Sequence, residues 1–460
     1  MKKLLTYHLY IIGFILLTAF TVYLNWNCPQ NYDEAHAWNL ARFLSPLEIF
    51  SIGKFEGHPF LWYYILMPFA KTNFFYPYSL YTINILFILS AFYCLYRYAP
   101  LPTYLKYLIT LSAPFLKLYS SFARSYSVSI FLSFLVLSLY PKRIQKTPIY
   151  LTLLFLLANT NVIGFMIAAI FGLMFFLDIT NDYKQNKCSI GPLYQTITLA
   201  LVELILVITQ FGNYDKEITS HTPVFHSLKK DLNIAFAPMN IYLYGFLSTL
   251  ILYFLLKNKK YKASAFLGLM CIGLTLLFRF IYHGNLHHYY FYYISLIIAY
   301  WLAYLENNTK LPIITLIPLT VISFSFIFIP NYLAQIKEKT YLTEIYKSAY
   351  ALNKTFPQEH IEIYTPLHFE ANIMLPYLNE NITLRNQNMT DFRDIQSVKE
   401  ALIHLYMPIN SVTAMKYIQK NPNIHILERC GEPISSNTEL AFHLKYKLSK
   451  EYCLYSILKR

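Results

Sequence analysis

The chain has 460 residues, of which 56% are hydrophobic, 18% aromatic and only 13% charged. A soluble domain carries about 25% charged residues, so this composition lacks the polar surface needed to stay dissolved and excludes a simple soluble globular protein. The formal net charge of +14 does not indicate nucleic acid, because Lys and Arg punctuate short segments between apolar runs instead of forming one patch interleaved with exposed aromatics.

The 43 Tyr and 36 Phe suit interfacial belts and lipid-facing helix surfaces. Six cysteines include no CxxC pair, which removes the usual zinc and thioredoxin-like readings. Apolar runs of about 16 to 21 residues recur along the chain, each long enough or nearly so to cross a bilayer. Lys2 and Lys3 precede the first run, and no small-residue cleavage site follows it, so it reads as a retained helix and not a signal peptide.

In chain order the runs predict membrane helices at 4–25, 79–96, 103–119, 123–140, 148–159, 162–178, 193–210, 236–256, 263–281, 289–304 and 311–329. The fold class expected is therefore a polytopic α-helical membrane protein with about 11 transmembrane helices and a small C-terminal α/β domain. Basic residues fall in alternate loops: Lys2 and Lys3; Arg97 and Lys106; Lys142, Arg143 and Lys146; Lys184 and Lys187; Lys257, Lys259, Lys260 and Lys262; Lys310. By the positive-inside rule this places the N-terminus in the cytoplasm. The stretch 60–70 is too short to cross and reads as a juxtamembrane or re-entrant helix; 148–178 is too long for one helix and divides at Asn159 to Asn161.

Hydropathy falls after Pro330, and charged residues become frequent. Strand-like 361–364, 382–385 and 424–427 alternate with helix-like 369–378, 398–406 and 412–419, which predicts an α/β unit. The domains expected are 1–330 in the membrane, with an outer loop 26–78 carrying juxtamembrane helices, and 331–460 as an outer-side, periplasmic soluble domain. Cys430 and Cys453 lie in that domain, where a disulfide and two unpaired core cysteines are both open.

Polar groups collect on one side. The first outer loop holds Asp33, Glu34, His36, Glu56 and His58; Arg124 and Tyr126 start the next outer helix end; Asn159 and Asn161 follow. Asp215, Glu217, His221 and His226 lie in a later outer loop, and Arg279, His283, His287 and His288 in the last but one. Any one of them has a structural explanation: Asn31 with Glu34 is a capping-box pattern, and Arg snorkels to the interface. Their one-sidedness points instead to a membrane-level cavity where a carboxylate acts as base toward a hydroxyl and Arg side chains hold a phosphate. The histidines with Glu56 are alternatively able to hold a divalent metal, although no HExxH or comparable spacing is present. Glu203, inside a predicted span, suits either an ion pathway or a hydrogen bond to a neighbouring helix.

Tyr32-Asp-Glu-Ala-His-Ala-Trp38, Glu56-Gly-His-Pro-Phe-Leu61, Ala123-Arg-Ser-Tyr126 and Leu157-Ala-Asn-Thr160 resemble the motifs of the GT-C superfamily of membrane glycosyltransferases. The likeness extends to a bacterial group of such proteins related to protein mannosyltransferases and aminoarabinose transferases. It covers roughly residues 1–330 in topology and implies a GT-C-like helix arrangement in the bacterial inner membrane. It also implies transfer of a sugar from a polyprenyl-phosphate carrier to a hydroxyl on a glycan, lipid or protein at the outer face, with inversion. By position, Asp33 corresponds to the catalytic base and Glu34 to its support toward acceptor or metal. Arg124 corresponds to the donor-phosphate ligand, with Arg279, His287 and His288 matching more loosely. His36, Glu56, His58, Tyr126 and Asn159 complete the expected substrate-binding set. The single His58-Pro59 departs from the His-Pro-Pro of the mannosyltransferases, and Asn159 to Asn161 stand where aminoarabinose-type enzymes have a lysine. A transporter or flippase of lipid-linked sugars is the alternative; it calls for polar residues through the midplane and for internal repeats.

Overall fold

A computed structural model of the chain describes residues 30–56, 58–211, 241–281, 284–306, 311–328, 332–365, 367–385, 391–393, 423–430 and 442–457, with scattered positions from 13 to 23 and at 232 and 421. It divides into two compact units. The first comprises residues 1–27, 57–62 and 81–330; the second comprises 28–56, 63–80 and 331–460. Most of the first outer loop thus clusters with the C-terminal segment, where the sequence suggested membership of the membrane part.

Among the described residues four helices are long and apolar enough to cross a membrane: Tyr78–Tyr98, Val162–Lys184, Gly191–Thr209 and Tyr261–Ile281. This overturns the expectation of about 11 transmembrane helices. Apolar composition runs further along this chain than unbroken helix does. The run at 103–119 breaks at Ser112, whose extended backbone ends helix Thr103–Leu111 before the π-helical turn Pro114–Tyr119. The run at 311–329 divides into Ile313–Leu316, Ile317–Ser325 and Phe326–Phe328, with Pro312 and Pro318 at the first two starts, because proline lacks the donor that would continue a preceding helix. Helix Thr147–Ala158 has 12 residues, a rise of about 18 Å against a hydrocarbon core of about 30 Å. Tyr126–Leu139 and Phe291–Leu305 are likewise short, at 14 and 15 residues. Of the predicted 4–25 helix only scattered positions from 13 to 23 are described, and those are helical. The chain is a multi-span membrane protein with a small extramembranous domain.

Within the first unit, Phe291–Leu305 is apolar around its circumference and buried continuously from Phe291 to Ala303, as befits the centre of a helical bundle. Trp301 packs on Phe134 with ring centroids 5.6 Å apart, and Tyr293 packs on Phe115 while its hydroxyl meets Ser323 Oγ at 2.8 Å. Helix Gly191–Thr209 is the opposite case, with only 6% of its apolar window covered by protein; its surface suits lipid. At one end of this unit Asp178 accepts from Arg143 Nη2 at 2.6 Å and also pairs with Lys262. Two segments rich in basic residues therefore meet at one carboxylate of helix Val162–Lys184.

The second unit contains a five-stranded sheet in the order β2-β1-β3-β5-β4. Its strands are β1 Ile361–Tyr364, β2 Ile382–Arg385, β3 His425–Arg429, β4 Phe442–Lys447 and β5 Tyr452–Ile457. β1 is parallel to β2 and β3, and β5 is antiparallel to β3 and β4. Ile363, Leu384, Leu427 and Leu454 join Ile345, Ala349 and Leu352 of helix Tyr332–Thr355 in one core, which also takes in Ala35 from the first loop. The β4–β5 hairpin and the long helix at 332–355 carry no mark in the expectations from sequence; the expected helices 398–406 and 412–419 lie outside the described residues. Cys430 and Cys453 form a disulfide, with Cα atoms 5.1 Å apart.

Replacing Asp178 by Ala leaves Arg143 and Lys262 facing each other without their shared anion. The melting free energy of the full chain in detergent should fall by on the order of 2 kcal/mol, between the values for exposed and buried pairs, and Asp178→Glu should recover most of it. An unchanged melting temperature in Asp178→Ala would show that the pairing contributes nothing.

Candidate functional site

The residues singled out from sequence fall into two groups, one per unit. In the second unit, helix Tyr32–Phe43 starts with a reciprocal cap: Glu34 N donates to Asn31 Oδ1 at 3.0 Å and Asn31 N donates to Glu34 Oε2 at 2.9 Å. Both orphan donors of the first turn are thereby satisfied. Glu34 is buried and engaged in this cap; Asp33, in the same first turn, is half-buried. His36 is buried, its ring stacked on Tyr32 one turn earlier at 5.5 Å. Glu56 ends helix Pro46–Glu56, and its side chain lies outside the described residues, as do Asp215, Glu217, His221, His226 and His283.

In the first unit, His58, Arg124, Tyr126, His287 and His288 come together from three segments far apart in sequence. Arg124 lies in the irregular stretch before helix Tyr126–Leu139 and is 7% exposed. The His287 ring sits 4.6 Å from Phe122, 4.8 Å from Tyr126 and 4.0 Å from His288. Tyr119 donates its hydroxyl to the His287 carbonyl at 2.7 Å, tying the short helix Leu286–Tyr289 to the turn Pro114–Tyr119.

Hydrogen-bond partners determine the state of His288. The Asn285 backbone N–H donates to Nδ1 at 2.9 Å, so that nitrogen is an acceptor. Nε2 lies 2.7 Å from the Tyr126 hydroxyl. Burial holds the His288 pKa well below the ordinary value, and the nearby His287, His58 and Arg124 further disfavour a positive charge on it. The ring is therefore neutral with its hydrogen on Nε2, donated to Tyr126 Oη, and the phenol hydrogen is left to a further acceptor. His287 is pushed down to about 3, first by burial and then by Arg124 and His58. The cluster is a set of hydrogen-bond donors around one permanent cation, an arrangement chemically suited to an anion.

A polar turn adjoins it. Asn161 caps helix Val162–Lys184 by accepting from Gly164 N at 2.9 Å, while its amide donates to Ser129 Oγ at 2.8 Å and Ser125 Oγ at 3.2 Å. Ser125 is next to Arg124, so the cap and the cluster share a backbone. A Cβ on Gly164 would overlap Thr160 and come within 2.6 Å of the Leu157 carbonyl oxygen; only glycine allows the turn to close this tightly. Asn159 accepts at its carbonyl from Leu61 N at 3.2 Å, which anchors the His58-Pro59-Phe60 segment. Both of its amide hydrogens are used, on Phe155 O at 2.9 Å and Glu203 Oε1 at 3.0 Å. Glu203 and Asn159 line a cavity of about 200 Å³ whose other walls are Pro59, Ala158, Val162, Phe165, Leu206 and Val207.

Arg279 is exposed on the turn Leu277–Ile281 and so is not a member of the buried cluster; Phe278 of that turn faces His288 at 6.2 Å. Among the described residues no group of three or more His, Cys, Asp or Glu side chains is placed to hold a metal ion. Tyr119, Phe122, Ser125, Ser129 and Asn285 were not anticipated; only Asn285, a cap residue three before His288, carried a local signal.

Because the His287 pKa is depressed on folding, its neutral form costs nothing above the unfolded value of about 6.5, and stability declines as pH falls from there toward about 3. Arg124→Ala removes one of the repelling charges and should raise the His287 pKa in part, burial being the larger cause. Its loss of melting temperature between pH 6.5 and pH 4 should therefore be shallower than that of the unaltered chain, as read by detergent melts; parallel pH profiles would contradict the coupling. No protein-family model and no curated protein matches this chain.

Proposed function

We propose that this protein is a membrane glycosyltransferase that moves a sugar from a polyprenyl-phosphate carrier to a hydroxyl of a glycan, lipid or protein at the outer face of a bacterial inner membrane. The observation that carries the reading is the assembly of Arg124, His58, His287 and the His288–Tyr126 pair in one buried cluster. A phosphate entering it would meet a guanidinium fork and imidazole and phenol donors, and its charge would draw a proton onto His287. The motif resemblance supplies the reaction. The acceptor oxygen attacks the anomeric carbon, the bond from that carbon to the phosphate oxygen breaks, the phosphate keeps the electron pair, and Asp33 takes the acceptor proton. Arg124 stabilises the charge that develops on the leaving phosphate. The alternating Lys and Arg loops support an N-terminus in the cytoplasm and an outer location for residues 331–460.

The test uses vesicles holding the full chain, supplied in turn with radiolabelled polyprenyl-phosphate glucose, galactose, mannose and aminoarabinose. Cleavage of one of them to free polyprenyl phosphate is expected. Asp33→Asn should lower turnover by about 10²- to 10⁴-fold, the usual contribution of a positioned base, and Arg124→Ala should weaken donor binding by about tenfold or more. Full turnover in a folded Asp33→Asn chain removes the base assignment. Movement of intact donor across the bilayer without cleavage would instead establish a flippase.

A further inference from the structure

The helix that bears Asp33 is held in place by the C-terminal segment. Just before it, fully buried Gln30 donates its backbone N–H to the Tyr346 hydroxyl at 2.7 Å and accepts at Oε1 from the Tyr377 hydroxyl at 2.6 Å. Tyr32 meets Phe369 edge-on at 4.6 Å. Two turns along, Asn39 Nδ2 donates to the Asn372 carbonyl at 2.9 Å in a buried setting. Trp38, also fully buried, donates its indole N–H to Asn73 Oδ1 at 3.0 Å, and Asn73 Nδ2 in turn donates to the Pro376 carbonyl at 2.9 Å. Tyr76 fills the space between the Trp38 and Tyr377 rings, 4.9 and 5.0 Å from their centroids.

The helix is thus fixed at its start, along one face and through a bridging side chain. Three C-terminal elements supply the fixing groups: helix Tyr332–Thr355, helix His368–Met374 and the turn Leu375–Tyr377. The bonds run to backbone carbonyls, to the Tyr346 and Tyr377 hydroxyls and to the Asn73 side-chain oxygen, so they specify position and not merely adhesion. Asn73 itself has φ of 49°, a left-handed conformation that asparagine and glycine tolerate, which puts its amide where both partners are in reach.

We propose that residues 332–377 are the positioning element for Asp33, and that Gln30, Asn39 and Asn73 are positioning residues which touch neither donor nor acceptor. This rests on the reading of Asp33 as the base. It assigns the C-terminal domain a part in turnover without any reacting group of its own. A shift of about 1 Å in a base is enough to cost about 100-fold in rate, so loosening these bonds should act on kcat and spare donor binding, which belongs to the Arg124 cluster.

The experiment compares the full chain with Asn73→Gly, Tyr377→Phe and the pair Asn73→Gly with Asn39→Leu, in the same vesicles and with the donor cleaved by the unaltered protein. Asn73→Gly keeps the left-handed backbone and removes only the two side-chain bonds, so folding is preserved. The double variant should lose about 100-fold in kcat with donor KM within about twofold. Backbone hydrogen exchange across residues 32–43 should quicken while that of the membrane spans stays unchanged. Normal kcat, an equal loss in kcat and KM, or unaltered exchange in the helix would each overturn the proposal. A fully active Asp33→Asn chain would overturn it by a separate route, since exchange in the loosened variants would still quicken although Asp33 had no role to be positioned for.

Discussion

Asn159, Thr160 and Asn161 are buried between helix Thr147–Ala158 and helix Val162–Lys184, so every backbone group released there needs a partner within the protein. Asn161 meets that demand by capping the second helix and reaching the serines of Tyr126–Leu139 and its approach. Asn159 meets it with its amide on Phe155 and Glu203 and its carbonyl on Leu61. The segments that carry Arg124 and His58 are both tied to this turn. Ser125 precedes Tyr126 and follows Arg124; Leu61 follows His58 by three. The polar turn and the donor cluster are one hydrogen-bonded construction, and glycine at position 164 is what lets it close.

The same constraint accounts for the histidines. Buried imidazoles beside a guanidinium stay neutral, so they stand as hydrogen-bonding groups, His288 in a defined tautomer, instead of as a second and third cation. An arginine with neutral imidazoles is poised differently from an arginine cluster: it holds one permanent charge and acquires more only when an anion arrives. At the other end of the same unit the opposite solution operates, with Asp178 neutralising Arg143 and Lys262 directly. One end joins two cations to a carboxylate; the other gathers an arginine and neutral imidazoles.

The second unit shows how a loop early in the chain can belong to a domain more than 250 residues later. Helix Tyr32–Phe43 buries Ala35, Ala37, Trp38, Leu40 and Ala41, and a 12-residue helix with such a face is stable only against a partner. The helices at 332–355 and 368–374 provide it, so the acids of the first loop are carried by the fold of the C-terminal domain. A hydropathy profile cannot reveal this, because it orders residues along the chain and the packing joins segments that the profile keeps apart.

Sequence alone determined that the chain is built for a membrane, that a domain of different composition follows Pro330, that the helix at 148–178 breaks at Asn159 to Asn161, and that Asn31 and Glu34 form a cap. Each of these is a local property: transfer of apolar side chains, loss of them, a polar turn, a four-residue motif. Strands 361–364 and 382–385 were legible for the same reason, as short β-branched runs between turn residues. The number of long spans was not, since Ser112, Pro114, Pro312 and Pro318 interrupt helices without lowering hydropathy enough to show. Only the tertiary structure decided which ionisable groups share an environment, bringing His58 and His287 to Arg124 and leaving Arg279 exposed. Such proximity depends on packing between residues 66 and 163 positions apart, and no periodicity in the chain encodes it.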